Sequence, residues 1–251
     1  MRHLLTFAFA LLTLSATAQD ETLLNPKSRR ATQIVAVQTY PQGNDMNRQN
    51  TYAFNADGTL ASRTTQGFGG QHTTRYPQPD NTTHRYDEKG LVDSAFSGAT
   101  LQSRTVKDLD GDITETHIYK PDGHASKSIF YIYRQPNVRS TAIEYNYDAD
   151  GCLRGRTLFR YDKHNRLTRI QQMTADEDIL MTEQDVYDKM GNRTKRTRTF
   201  FEDGRKKSQT VEQYKYTYDS DGNWIRCEYY NDGRLYYTTL RRIEYAGSSA
   251  H

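Results

Sequence analysis

Along most of this chain apolar and polar residues alternate one by one, interrupted by short polar breaks that end on Gly. Ile143, Tyr145 and Tyr147 stand against Glu144 and Asn146 before Asp148-Ala149-Asp150-Gly151, and Tyr214, Tyr216 and Tyr218 stand against Lys215 and Thr217 before Asp219-Ser220-Asp221-Gly222. A period of two is that of a β-strand with unlike faces. No 12-residue window carries a 3.6-residue apolar period, so almost no helix is predicted. Aligned on the closing residue, the breaks occur ten times, at Gly58, Gly90, Gly111, Gly123, Gly151, Asn165, Gly191, Gly204, Gly222 and Gly233. Four residues earlier an aromatic stands in nine of the ten, Lys107 being the exception. Two residues later stands a sizeable apolar group in seven: Leu60, Val92, Ile113, Leu153, Leu167, Trp224 and Leu235.

These spacings specify hairpins. A type I turn favours Asp at its first position and Gly or Asn where φ turns positive. If that turn closes a three-residue loop with a Gly bulge, the aromatic before it and the apolar residue after it become direct cross-strand neighbours. The copies with Asp-Gly alone also suit a two-residue turn. Weaker turn signals at Gly67 to Gly70, Pro77 to Asp80, Ser97-Gly98, Gln135-Pro136-Asn137 and Ala175 to Asp178 fill the longer gaps. The predicted fold is all-β. It is an up-and-down antiparallel meander of roughly sixteen short strands, each paired with its sequence neighbour in a single twisted sheet that is free to curl.

Three segments carry a family resemblance: Tyr145-Asn146-Tyr147-Asp148-Ala149-Asp150-Gly151-Cys152-Leu153, Arg160 to Thr168, and Tyr216-Thr217-Tyr218-Asp219-Ser220-Asp221-Gly222-Asn223-Trp224. They resemble the YD repeats of Rhs-type proteins, whose pattern runs Tyr-x-Tyr-Asp-x-x-Gly-x-Leu. The resemblance covers most of residues 50 to 245 and implies a ribbon of β-strands. In large members such ribbons spiral into a hollow shell around a toxin; smaller members include cell-surface and presumed carbohydrate-binding proteins. This chain is too short for a full shell and has no variable C-terminal toxin domain, so the ribbon carries over and toxin delivery does not. The resemblance points to the short secreted repeat proteins of Gram-negative bacteria.

The first residues add export to this reading. Arg2 and His3, the apolar run from Leu4 to Leu14, and Ala16-Thr17-Ala18 have the three regions of a secretory signal peptide, with cleavage expected before Gln19. The expected organisation is a leader at 1–18, a flexible segment at 19–30, the repeat domain at 31–245 and a flexible tail at 246–251, in a periplasmic or secreted protein. With 34 basic and 31 acidic residues neither sign dominates, and nucleic acid is not an expected partner. An integral outer-membrane barrel is not expected either. Its lipid-facing positions must be apolar, whereas Arg193 to Arg198 reads as polar or charged on both faces.

Candidate chemistry is sparse. The spacings of catalytic Ser, zinc-binding His and phosphate-loop motifs are absent, so no catalytic residue, metal or cofactor is expected and the chain reads as a non-enzyme. Asp108-Leu109-Asp110-Gly111-Asp112 has the look of a calcium loop, but turn chemistry accounts for its residues without metal. Cys152 and Cys227 lie about five strands apart in a meander, beyond disulfide reach, and are expected as free, buried thiols. The chain has 19 Tyr and one Trp. Tyr131, Tyr133, Tyr145, Tyr147, Tyr214, Tyr216, Trp224, Tyr229 and Tyr237 are the candidate ligand-binding set, a stacking platform for a glycan or an envelope protein, with strand packing as the competing role. A self-associating structural component and an unrecognised hydrolase are the alternative functions.

Overall fold

The computed structural model describes residues 31–41, 47–56, 59–67, 70–75 and 83–245. The expected leader, the flexible ends, the closing Gly58 and the Pro77 to Asp80 turn lie outside the described residues. Seventeen strands follow one another: β1 (Ala31–Thr39), β2 (Arg48–Phe54), β3 (Leu60–Gly67), β4 (Gly70–Arg75), β5 (Thr83–Tyr86), β6 (Val92–Ser97), β7 (Thr100–Lys107), β8 (Ile113–Tyr119) and β9 (Ala125–Gln135). Then come β10 (Val138–Tyr147), β11 (Leu153–Tyr161), β12 (Leu167–Thr174), β13 (Ile179–Tyr187), β14 (Arg193–Glu202), β15 (Arg205–Tyr218), β16 (Trp224–Asn231) and β17 (Arg234–Tyr245). They form one antiparallel, up-and-down sheet that is not closed into a barrel, and the described residues contain no helix. Strand β1 adds a pairing that the repeat does not encode. It lies between β2 and β17, with Ile34 opposite both Tyr52 and Ile243.

The turns have the expected chemistry. Asp148 N–H bonds Cys152 O at 3.0 Å and Gly151 N–H bonds Asp148 O at 3.3 Å, with Gly151 at φ 79°. The same pair of bonds closes the turns that begin at Asp108, Lys120, Asp162, Asp188 and Asp219. Each Asp carboxylate takes two further N–H groups. Asp219 Oδ1 accepts from Asp221 at 3.0 Å and Asn223 at 2.8 Å, and in the calcium-like loop Asp108 Oδ1 accepts from Asp110 and Asp112. The predicted pairs follow, as Phe54 with Leu60, Tyr147 with Leu153 and Tyr161 with Leu167. Immediately inside each of these turns the register shifts by one, a β-bulge that resets the alternation.

Three details differ from the pattern. At Gly90 the loop is longer, so Tyr86 faces Asp93 rather than Val92. Asp203-Gly204 and Asp232-Gly233 form two-residue turns with positive φ at both positions, which moves Tyr229 opposite Tyr237 instead of Leu235. The signal at Ala175 to Asp178 is a full copy of the repeat turn, with Thr174 in the Asp place and Glu177 in the Gly place at φ 73°.

The chain falls into two compact units. Of the described residues, unit 1 comprises those up to Arg75, the turn Asp188–Asn192 and those from Gln213 to Tyr245; unit 2 comprises those from Thr83 to Tyr187 and Arg193–Glu212. In unit 1 a core of Ile34, Ala36 and Tyr52 packs with Phe54, Leu60 and Ile243, and a second core joins Tyr214, Trp224 and Cys227 to Tyr216, Tyr218 and Tyr229. In unit 2 the buried groups are mostly small or polar, among them Ala95, Ala142, Glu144, Thr157, Glu183, Asp185 and Arg196, together with Met181. At Gly155 a Cβ would meet Met173 O at 2.5 Å, so only glycine admits β12 at that distance.

Candidate functional site

The candidate residues divide between the two units. In unit 1 Trp224 packs with Tyr218, Tyr216 and Tyr214, which are spaced two apart on one face of β15. Cys227 and Tyr229 on β16, and Tyr237, Thr239 and Arg241 on β17, share that face through their registers. The rings touch in series: Tyr216 to Trp224 at 5.8 Å, Tyr214 to Tyr229 at 5.1 Å, and Tyr229 stacked on Tyr237 at 4.7 Å. Arg241 lies over the Trp224 ring at 4.1 Å, a cation–π contact inside the sheet face. Burial lowers the guanidinium of Arg241 to about 10, and burial raises Tyr237 above its ordinary value and pushes Cys227 up to about 12.

Trp224 is 6% exposed and Tyr214 equally so. These two pack rather than present a platform. Accessible aromatic surface begins where the register passes from Tyr229 opposite Tyr237 to Tyr230 opposite Leu235, leaving Tyr236 as the extra residue of a bulge. Its ring swings to the Tyr237 side. It meets Tyr229 at 5.8 Å and Tyr237 at 6.0 Å, while Tyr40, just past β1, meets Tyr236 at 5.7 Å and Tyr237 at 5.6 Å. Tyr236 remains 44% exposed. Neither Tyr236 nor Tyr40 follows from the repeat spacing; the signal for the first was the Tyr-Tyr pair beside a two-residue Asp-Gly turn.

Tyrosine hydroxyls also tie successive turns of unit 1 together. Tyr218 donates to Asp188 Oδ2 and accepts from Asn192 Nδ2 at 2.8 Å. One repeat on, Tyr245 does the same with Asp219 at 3.2 Å and Asn223 at 2.7 Å. The Tyr of one repeat therefore reads the Asp and Asn of an earlier one.

In unit 2 the candidate tyrosines do not assemble into one surface. Tyr131 takes Arg139 over its ring at 4.8 Å, and Tyr133 donates to Ile113 O at 2.8 Å. Tyr145 packs edge-on against Phe130 at 5.8 Å on the opposite face from Tyr131, and Tyr147 pairs with Leu153. A group invisible in the sequence lies on β8 and β9, where His117 Nδ1 is 2.9 Å from Ser128 Oγ and His117 Nε2 is 3.1 Å from Glu115 Oε2. This connectivity is that of an acyl-transfer triad. Ser128 is buried in mid-strand, however, and β9 is paired on both edges, so its N–H groups serve ladders rather than an oxyanion hole.

Unit 2 buries charge instead of rings. Arg196 bonds Asp185 through Nε at 2.9 Å and Nη2 at 2.8 Å and reaches Glu183 at 3.0 Å. Arg198 bridges Glu183 at 2.6 Å and Glu212 at 2.7 Å, and Arg193 approaches Asp185 at 3.3 Å. Burial opposes the Arg196 guanidinium, but the bonds it donates to Asp185 and the charges of Glu183 and Asp185 outweigh it and hold its pKa above the ordinary value. Both cysteines are free: Cys227 is buried as expected, whereas Cys152 is exposed because it sits next to the Gly that closes its turn. Among the described residues no group of three or more His, Cys, Asp or Glu is placed to hold a metal ion, and no helix is long and apolar enough to cross a membrane.

No family model matches this chain. No curated protein matches it either. Among solved structures it is similar to a porin-like protein from Bacteroides uniformis, at 15% identity and a TM-score of 0.45 over 85% of this chain and 98% of that one. It is also similar to a mutant Tc holotoxin pore of Photorhabdus luminescens, at 13% identity and a TM-score of 0.31 over 77% of this chain and 12% of that one. The sheet of repeated hairpins is loosely consistent with the ribbon that the YD-repeat resemblance implies; membership of that family is shown by no match.

Proposed function

We propose that this chain is an exported, non-enzymatic recognition protein of the cell envelope or its surroundings, built from YD-type hairpins, and that it binds a glycan at the tyrosine cluster of unit 1. One observation carries the reading: Tyr40, Tyr229, Tyr236 and Tyr237 converge at one end of the sheet face, and Tyr236 keeps nearly half of its surface open to solvent. Rigid, amphipathic tyrosines offer a sugar both a flat apolar surface and hydroxyls at little entropic cost. The packed Tyr214, Tyr216 and Trp224 serve as the floor that holds those rings in place.

A glycan array followed by titration of the best hit tests this. A saturable signal from a monomer is expected, weakened about tenfold or more in Tyr236→Ala with an unchanged melting temperature. Absence of saturable binding, or a stable oligomer in light scattering that shields Tyr236 from solvent, would sink recognition. The second of those results would favour the self-associating structural role.

A further inference from the structure

On strands β9 to β14 of unit 2, the registers sort charge by face. One face carries the carboxylates Glu144, Glu183 and Asp185, each matched by a cation. The other carries Phe130, Ile143, Leu158, Gln171 and Thr182 in one cross-strand row. The next row is Thr141, Arg160, Arg169, Gln184 and Thr197. Neither row contains a carboxylate. Arg160 and Arg169 are exposed and directly opposite one another, an arrangement that repels. Lys195 is exposed two strands away on the same face, and Arg134, whose Nη2 donates to Tyr161 O at 3.2 Å, stands at the β11 side. The nearest acids are paired: Asp162 with Arg166 at 2.7 Å, Glu177 with Arg156, and Glu115, which stands opposite Phe130 on β8 where the first row ends, with His117.

We propose that this face is a binding surface for an acidic polysaccharide, with uronate or sulfate groups on Arg160 and Arg169 and the sugar rings along the Phe130 to Thr182 row. Two opposed arginines set a carboxylate or sulfate between them, and guanidinium forks match such oxyanions in pairs. The adjoining row mixes flat apolar groups with Gln and Thr, which suits rings that present C–H on their faces and hydroxyls at their edges. Successive strands stand about 4.8 Å apart, so the surface repeats at intervals that suit a linear polymer crossing the strands. A nucleic acid would draw on a series of exposed aromatic rings, and here Phe130 stands alone in its row. This inference is independent of the tyrosine cluster of unit 1.

The test titrates the full chain with polygalacturonate oligomers and with their methyl esters, which keep the sugar and remove the charge. Saturable binding of the acid is expected, falling with added salt and absent for the ester. Arg160→Gln with Arg169→Gln should weaken it about tenfold. The same pair should melt no lower than the parent, because it removes a like-charge opposition. Equal binding of acid and ester, unchanged binding by the double variant, or tighter binding of single-stranded oligothymidylate or phosphatidylglycerol vesicles than of polygalacturonate would each overturn the proposal.

Discussion

On the unit 1 face of β15 to β17 the alternation buries Tyr214, Trp224 and Cys227, whereas in unit 2 the same alternation on β13 and β14 buries Glu183, Asp185 and Arg196. The hairpins around them are closed by the same turn, at Gly191 and at Gly222. Backbone and turn chemistry therefore do not decide what fills a face. The energetics differ in kind. The apolar part of each buried ring contributes roughly 1.5–3 kcal/mol from burial without a charged partner, whereas a buried ion network roughly breaks even against apolar side chains and stabilises only while complete. What the ions add is register. A slip of one residue would carry Arg196 to the opposite face and leave Asp185 without it, so the ions reinforce the register that the turn at Asp188 sets.

Alkali is expected to separate the two faces most strongly. Cys227 is raised from 9.0 to about 12, and Tyr218 and Tyr237 are raised above 10.0, all with burial as the largest cause. A group whose folded value is raised contributes stability that is complete below its ordinary pKa and is lost as pH climbs through the folded one. These contributions therefore begin to fall near pH 9 to 10 and continue falling to about pH 12. Arg241, lowered from 12.5 to about 10, works the other way, since its burial penalty is relieved above pH 10. Three groups on this face outweigh one. Trp224, the sole Trp, reports the face directly: its emission should hold its position to pH 9 and shift to that of exposed indole by about pH 11. An unshifted emission at pH 11 would show that these groups do not support the fold.

The ionic face fails by subtraction. Arg196→Ala leaves Asp185 and part of Glu183 buried without their bidentate partner, and should cost about 3–5 kcal/mol, near 10 °C in melting temperature. Replacing Glu183, Asp185 and Arg196 together by Leu or Met should restore most of that loss. If the single variant melts like the parent, the network is not holding β13 to β14.

The sequence and the fold agree where the physics is local. Asp148, Gly151 and the pair Tyr147–Leu153 lie within seven residues, and their spacing alone requires the turn that forms. Long-range outcomes were less legible. The β1 to β17 pairing brings the first and last described strands of the sequence side by side, and nothing in Ala31 to Thr39 names its partner. Arg193 to Arg198 reads as polar on both faces; only the register opposite Glu183 and Asp185 makes one of those faces buried. In the candidate site, Tyr229 and Tyr237 followed from the repeat, but their placement opposite each other depends on a two-residue turn at Asp232-Gly233, and the exposure of Tyr236 depends on the bulge that accompanies it. A bulge moves every later residue to the other face, and it leaves no composition of its own.

The smallest of the three effects concerns the rim of the aromatic face, where polarity returns. Tyr218 belongs to the ring series and also carries the hydroxyl held by Asp188 and Asn192, so Tyr218→Phe keeps the packing with Tyr216 and removes only the clasp. The lost bond to a carboxylate and the Asn192 amide left short of an acceptor together should cost about 1–2 kcal/mol, or roughly 4 °C. Tyr245→Phe repeats the experiment one hairpin later, at Asp219 and Asn223. Equal losses at both positions would mean that the clasp is a property of the repeat, made by the Tyr of one turn and the Asp and Asn of an earlier one. A loss at Tyr218 alone would assign the stabilisation to the 188–192 turn in particular, and the tyrosine of the repeat would then be there for its ring.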